Sequence, residues 1–277
     1  MARLLKVLVM AMILSWIAVI RTDGFSENAI QGKLFAEVEE RAPSEVLHAL
    51  HQPFRYFAKG RQAFVFVSND EQYVLKFFNK KYLQVPWYAF FYRDKERIKR
   101  EIRNTFYRDS YRIAKAVFGE EILYLHLGAS QDLPKVEIID RASGAMCLDL
   151  NRTPFVLQRK GILLYDYLEE VYEKEGIRGI ERWMEVFLKA VAARIGKGLG
   201  DGDSDVEHNW GVVDGRLFHL DPGRLGYDPN LDVATEFQRS TRKLYRWLYD
   251  KYPKAAPHFK TKLNQYIELF KNIERSS

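Results

Sequence analysis

The chain has 277 residues, 47% of them hydrophobic and 29% charged, which excludes wholesale disorder and supplies one large core or two small ones. A net charge of +6 suits an anionic partner, yet the basic residues are spread among nearly as many acids. No aromatic-plus-basic recognition motif accompanies them, so nucleic acid is not an expected partner. Cys147 is the single cysteine, which excludes an internal disulfide and a cysteine-based zinc site.

Arg3 and Lys6 precede an apolar run, Val7 to Ile20, that stops at Arg21-Thr22-Asp23. A basic start followed by an apolar stretch is the layout of a secretory signal. Counted from Leu4, the same stretch approaches the ~17 residues that a membrane span needs. Thr22 and Gly24 are small enough for a cleavage site, but Arg21 and Asp23 crowd it. Residues 1–24 are therefore expected to be a signal peptide or a membrane anchor. Residues 4–20 would contact the membrane and make the protein membrane-associated or exported, with the side of the membrane left open.

Residues 25–53 read as a mostly helical extension, with Ser44 capping a short helix that ends before Pro53. The texture then changes. Phe54 to Phe78 carries three β-rich stretches (FRYF, AFVFVS and YVLKFF), and Asn69-Asp70 in the second break is a hairpin signal. From Asp94 to Phe118, the residues Ile98, Ile102, Phe106, Ile113 and Val117 fall near helical spacing and predict one long amphipathic helix. Three more strand-like runs follow: ILYLHL, KVEIID and TPFVLQRK. Two helical segments come next, from Leu163 to Glu175 and from Ile180 to Ile195. A polar loop from Gly196 to Asn209 leads into the short strands WGVV and RLFHL, which flank the turn pair Asp214-Gly215. Two helices close the chain, near Asp232–Tyr252 and Pro257–Arg275. A β-rich part with one long helix, then a helical part with a small hairpin, is an α+β arrangement in two lobes. The expected boundaries are 54–160 and 161–277.

Three places in this order carry chemistry. In Ala58 to Val65 (AKGRQAFV), Gly60 and Ala63 are small enough for backbone N–H groups to approach an anion, although a lone glycine between strands is more often only a turn. Lys76 lies inside the apolar strand YVLKFF; a buried ammonium needs an anionic partner, and the alternative is an edge lysine on a wet face. The third and sharpest place is Gly200 to Asn209 (GDGDSDVEHN), then the hairpin, then Asp221-Pro222-Gly223. Acids this dense repel one another unless a cation neutralises them. Asn209 starts one strand and Asp221 follows its hairpin partner, so their hard oxygen donors suit magnesium, and an upstream aspartate could accept a hydroxyl proton. An EF-hand is excluded, because its sixth place holds Val206 and its twelfth Val212.

Taken together, these motifs resemble the protein-kinase-like superfamily over about residues 54–250. AKGRQAFV resembles the glycine-rich loop G-x-G-x-x-G-x-V with alanines in two glycine places, and the V-L-K of Lys76 resembles the V-A-I-K strand. Asp203 to Asn209 resembles the catalytic loop, and Asp221-Pro222-Gly223 resembles D-F-G. The chain also looks similar to kinase-like proteins of Chlamydia-like bacteria. The resemblance implies a two-lobed kinase-like fold that uses ATP and magnesium. Lys76 would hold nucleotide phosphates with Gly60 and Ala63 above them, and Asn209 and Asp221 would hold the metal. Asp203 would orient the hydroxyl of an unidentified acceptor, and Glu101, with Glu96 as alternative, would pair with Lys76.

The departures are specific. No His-Arg precedes Asp203, the interval to Asn209 is one residue longer than D-x-x-x-x-N, and Asp201 and Asp205 remain alternatives for the catalytic acid. No A-P-E motif follows Asp221, which leans away from peptide substrates. A catalytically inactive pseudokinase, working as a membrane-tethered binding module, is the competing expectation.

Overall fold

The computed structural model describes residues 2–30, 41–80, 94–142 and 144–276. It divides into two compact units, Met1–Thr105 with Ile122–Lys160, and Phe106–Glu121 with Gly161–Ser277. The boundary runs through the long helix that the apolar spacing predicted.

The first unit begins with helix α1 (Ala2–Thr22) and the short helices α2 (Glu27–Ile30) and α3 (Ser44–Ala49). Its centre is a seven-stranded sheet built from β1 (Phe54–Lys59), β2 (Ala63–Ser68), β3 (Tyr73–Phe78), β4 (Tyr124–His126), β5 (Lys135–Ile139), β6 (Ala145–Asp149) and β7 (Phe155–Arg159). The strand order is β4-β7-β3-β2-β1-β5-β6; β1 and β5 run parallel and the other neighbours antiparallel. β3 is central, and from Val74 to Phe78 every residue is buried, which explains why its sequence is apolar without alternation. The core packs Phe54, Phe64, Phe66, Phe77 and Phe155 with Phe25 from the segment after α1. Strand β6 has no counterpart among the predicted runs. It lies at the sheet edge with only Leu148 buried, so no alternating pattern marks it.

The described side chains of α1 before Thr22 are exposed, among them Val7, Met10, Trp16 and Ile20. Among the described residues, no helix is long and apolar enough to cross a membrane.

The second unit takes in the C-terminal half of helix α4 (Asp94–Phe118). There follow β8 (Ile162–Leu163), α5 (Leu164–Ile195), β9 (Leu199–Asp201), the single turn α6 (Val206–Asn209), β10 (Trp210–Val213), β11 (Arg216–His219), β12 (Leu225–Tyr227), α7 (Val233–Lys251) and α8 (Ala256–Ser276). The two helical segments expected after Leu163 form α5, which breaks at Gly176 (φ 64°, ψ −152°) between them. Phe187, Trp210, Phe237, Leu244 and Phe259 pack the core between α5, α7 and α8. Asp214 (φ 48°) and Gly215 (φ 73°) both take left-handed conformations, as a type I′ turn requires, and they close β10 against β11 with Val213 opposite Arg216.

Candidate functional site

In the sheet unit, Lys76 stands opposite Val65 on β2 and Val156 on β7 and is only 8% exposed. The edge-lysine alternative therefore fails, because β3 has a neighbour on each side and both of its faces are covered. Gly60 begins the tight turn between β1 and β2, and its N–H donates to the Ala63 carbonyl at 2.9 Å. Ala63 is already in the ladder opposite Phe78. The Gln62 carbonyl accepts from Asn79 N–H at 2.7 Å. The Gly60 amide is therefore engaged by the turn itself. The side chains of Glu96 and Glu101 lie outside the described residues.

In the second unit, the β10–β11 register sets Trp210 opposite His219. Asn209 and Leu220 extend that pairing by one step, with Leu220 N–H donating to the Asn209 carbonyl at 2.7 Å. Asp221 follows directly, so Asn209 and Asp221 leave the same end of the hairpin. The loop from Asp201 arrives there too: Asn209 Nδ2 donates to the Asp203 carbonyl at 3.3 Å, and Gly202 N–H donates to the Arg224 carbonyl at 3.0 Å. β9 and β12 pair beneath, with Asp201 opposite Leu225. Asp203, Asn209 and Asp221 are thus gathered by short backbone connections.

The three loop aspartates have different surroundings. Asp201 is 4% exposed, and its Oδ2 lies 3.0 Å from Nε2 of the buried His219 while its Oδ1 accepts from Asp203 N–H at 2.9 Å. Burial alone would raise its pKa. The His219 hydrogen bond and charge, the Arg194 charge and the Asp203 N–H together hold it below the usual carboxylate value, so His219 Nε2 is the donor of the pair. Asp205 is bound by Lys243 Nζ at 3.0 Å and by His208 Nδ1 at 3.0 Å, and these partners outweigh partial burial to keep its pKa low as well. Asp203, half-buried, makes no ion pair among the described residues; its Oδ1 accepts from Asp205 N–H at 3.3 Å.

At Asp221, Oδ1 accepts from Gly223 N–H and from the Tyr111 hydroxyl, each at 3.3 Å. Tyr111 is fully buried on α4, and the neighbouring Ser110 hydroxyl donates to the Leu225 carbonyl at 2.6 Å. Below the loop, Arg194 and Glu236 form a buried pair at 2.7 Å. Arg194 also donates to the Leu199 carbonyl at 2.7 Å, and Glu236 Oε1 accepts from Asp201 N–H at 3.0 Å. Sequence reading missed Tyr111, His219, Arg194 and Glu236 as parts of this site. All four look like ordinary helix or strand residues in the sequence, and only contacts from 18 to 110 positions away give them a role. Asp205, Glu207 and His208 also present ligand atoms within 4.8 Å of one another, but the Lys243 ammonium already neutralises Asp205.

The donor set fits magnesium on its chemistry. With Nδ2 engaged on Asp203, the Asn209 amide turns its oxygen away, and Oδ2 of Asp221 accepts no hydrogen bond among the described residues. One amide oxygen and one carboxylate oxygen at one hairpin end are hard donors of the kind that ion takes.

No family model and no curated protein matches the chain. Among solved structures it is similar to WbdD, at 18% identity and a TM-score of 0.39, over 77% of this chain and 46% of that one. A second structure, of the bifunctional kinase-methyltransferase WbdD, gives 17% identity and a TM-score of 0.37 over 78% of this chain and 43% of that one. The chain thus spans less than half the length of either structure. The likeness to proteins of Chlamydia-like bacteria has no counterpart among these matches.

Proposed function

We propose that the chain is an atypical, kinase-like phosphotransferase that works on a magnesium–nucleotide complex. The observation that supports this reading is the convergence of Asp203, Asn209 and Asp221 at one end of the β10–β11 hairpin, where Asp201 is already held by a hydrogen bond from His219 and Asp205 by the Lys243 ammonium. Phosphoryl transfer asks mainly for positioning and charge neutralisation, so a small set of oxygen donors beside one unpaired carboxylate is suited to it.

In this reading the Asn209 amide oxygen and the Asp221 carboxylate hold magnesium, which when bound offsets the charge of the nucleotide phosphates. The buried Lys76 of the sheet unit is the candidate cation for nucleotide phosphates. Asp203 accepts a hydrogen bond from the acceptor hydroxyl, orients its oxygen and takes up its proton as the new O–P bond forms, while the bond between the γ-phosphorus and the β–γ bridging oxygen breaks and the nucleoside diphosphate leaves with that electron pair. Tyr111 and Gly223 both donate to Oδ1 of Asp221, which holds that carboxylate in one orientation and leaves Oδ2 outward. The buried Asp201–His219 pair ties the start of the loop to the end of β11 and keeps Asp203 and Asp221 in register. Residues 4–20 attach the protein to a membrane.

A second reading, a nucleotide-free binding module, is favoured by the turn at Gly60, whose N–H bonds within the turn. Thermal unfolding separates the two. A ligand at ~100 times its Kd stabilises a native state by about 2.7 kcal/mol. ATP with magnesium is expected to raise the midpoint of the unmutated chain and to leave Lys76→Ala and Asp221→Asn unmoved. No rise in the unmutated chain, with all three proteins folded, would remove the phosphotransferase reading.

A further inference from the structure

The junction between α1 and the sheet unit is built rather than loose. Asp23 (φ 53°) and Gly24 (φ 74°) turn the chain out of the helix in left-handed conformations, with Gly24 N–H on the Val19 carbonyl at 2.9 Å. Phe25 then enters the sheet core, its ring 5.4 Å from Phe64 and 4.8 Å from Phe66. Three side chains from β1 and the β5–β6 turn converge on Asp23. The Tyr56 hydroxyl donates to Oδ2 at 2.6 Å, Arg141 donates to Oδ1 at 2.6 Å, and Lys59 Nζ donates to the backbone carbonyl. The hydrogen bond from Tyr56, and then the charges of Arg141 and Lys59, keep the Asp23 carboxyl ionised to lower pH than usual against the opposing effect of burial. Cleavage at Thr22 or Gly24 would cut through this clamp, so the geometry favours a retained helix.

The helix that this clamp holds has apolar side chains exposed over most of its circumference: at 100° per residue, Val7, Val9, Met10, Met12 and Ile13 spread across more than half a turn. Such a helix needs an apolar surrounding. Where it meets the domain there is a cavity of about 450 Å³ lined by Ile20, Arg21, Arg141 and Ala142. Arg21 makes no ion pair among the described residues, and Arg141 shares its charge with Asp23. Arg141 and Lys59 bind Asp23, Arg21 stands at the cavity wall, and the Asp140 carboxylate of the same turn accepts from Ala142 N–H at 2.8 Å, so three cations against two carboxylates leave a small excess of positive charge where apolar helix gives way to polar domain.

We propose that this cavity seats the phosphate of an anionic phospholipid, with Arg21 and Arg141 as its donors and the apolar side chains of α1 in the acyl layer. The proposal rests on the membrane-attachment reading of residues 4–20 and adds a headgroup site to it. Arginine suits the task because its planar fork matches phosphate oxygens. The Ile20 side chain at the cavity wall meets the start of the acyl chains.

The test is flotation of the full chain, synthesised in the presence of vesicles of phosphatidylcholine alone or of phosphatidylcholine with one quarter phosphatidylglycerol. A basic residue near an anionic surface contributes roughly fivefold in binding, so the two arginines together predict a preference of about twenty-five-fold for the anionic vesicles. Arg21→Gln and Arg141→Gln together should erase the preference while flotation on phosphatidylcholine persists. Arg21→Gln alone, which breaks no ion pair or hydrogen bond among the described residues, should remove roughly half of it on a logarithmic scale. Equal flotation of the unmutated chain on both vesicle types would overturn the headgroup site and leave the attachment reading standing. A preference that survives both arginine variants would also overturn it, placing the charge recognition elsewhere. A chain that stays unattached to either vesicle would overturn both readings.

Discussion

Two loops of this protein have sequences that promise anion or metal chemistry, and their surroundings differ. The turn at Gly60 is closed on itself: the glycine N–H bonds the Ala63 carbonyl, and the Gln62 carbonyl bonds Asn79. The loop from Asp201 to Asn209 instead sorts its acids. Asp201 is locked under the loop by His219, Asp205 is paired with Lys243, and Asp203, whose backbone carbonyl accepts from Asn209 Nδ2, makes no ion pair among the described residues. A loop can take a ligand where its own fold leaves strong acceptors unengaged; among the described residues Oδ2 of Asp221 beside the second loop accepts no hydrogen bond, whereas the Gly60 amide is engaged within its turn.

The contrast is most exposed at the aspartates. Asp203→Asn is expected to lower nucleotide turnover by about 10²–10⁴-fold, the range for loss of a general base, with the melting midpoint unchanged. Asp205→Asn should alter turnover only slightly and cost at most ~1 kcal/mol, because its ion pair with the half-exposed Lys243 is screened. Steady-state kinetics on the two variants decide the assignment, and an inverted result would make Asp205 the acid.

Next in size is the support under the loop. Glu236→Gln leaves the Arg194 guanidinium buried beside a neutral amide and should cost roughly 3–5 kcal/mol in urea unfolding. A loss under ~1 kcal/mol would mean that the loop's order does not depend on this pair.

The Asp201–His219 pair predicts a pH signature. The folded pKa of Asp201 lies below its ordinary 3.8, so the stabilisation it contributes is complete above that value and is lost as pH falls through the folded pKa. The gap in unfolding midpoint between the unmutated chain and Asp201→Asn should therefore be widest near neutral pH and close below pH 3.8. A gap that is constant with pH would show that the carboxylate charge does not matter there.

The smallest effect belongs to the turn. A Cβ at Gly60 would meet only the Ala63 carbonyl oxygen, at 3.7 Å, and φ there is not positive. Gly60→Ala should change stability by about 0.5 kcal/mol or less and leave nucleotide-induced stabilisation intact. A selective loss of that stabilisation would return the turn to the site and undo the contrast.

Much of this was legible in the sequence because it rests on local rules. Asp214-Gly215 specified the hairpin that brings Asn209 and Asp221 to one end, and the apolar runs gave β1, β2 and β3 through their β-branched and aromatic content. The edge strand β6 escaped, because one buried residue makes no period. The interior of the site was not legible for a different reason. Nothing near Tyr111 in the chain indicates that its hydroxyl meets Asp221, 110 positions on, and nothing near Arg194 names Glu236.

The sequence by itself determined the order of elements, the turn chemistry and the short list of ionisable groups, all of which depend on neighbours a few residues apart. Only the tertiary structure decided that Lys76 lies in a central strand, that Asp201 and Asp205 are held by His219 and Lys243 while Asp203 makes no ion pair among the described residues, and that Asp23 clamps the apolar helix to the sheet. Burial and charge pairing are properties of space, and the partners that create them here lie far apart along the chain.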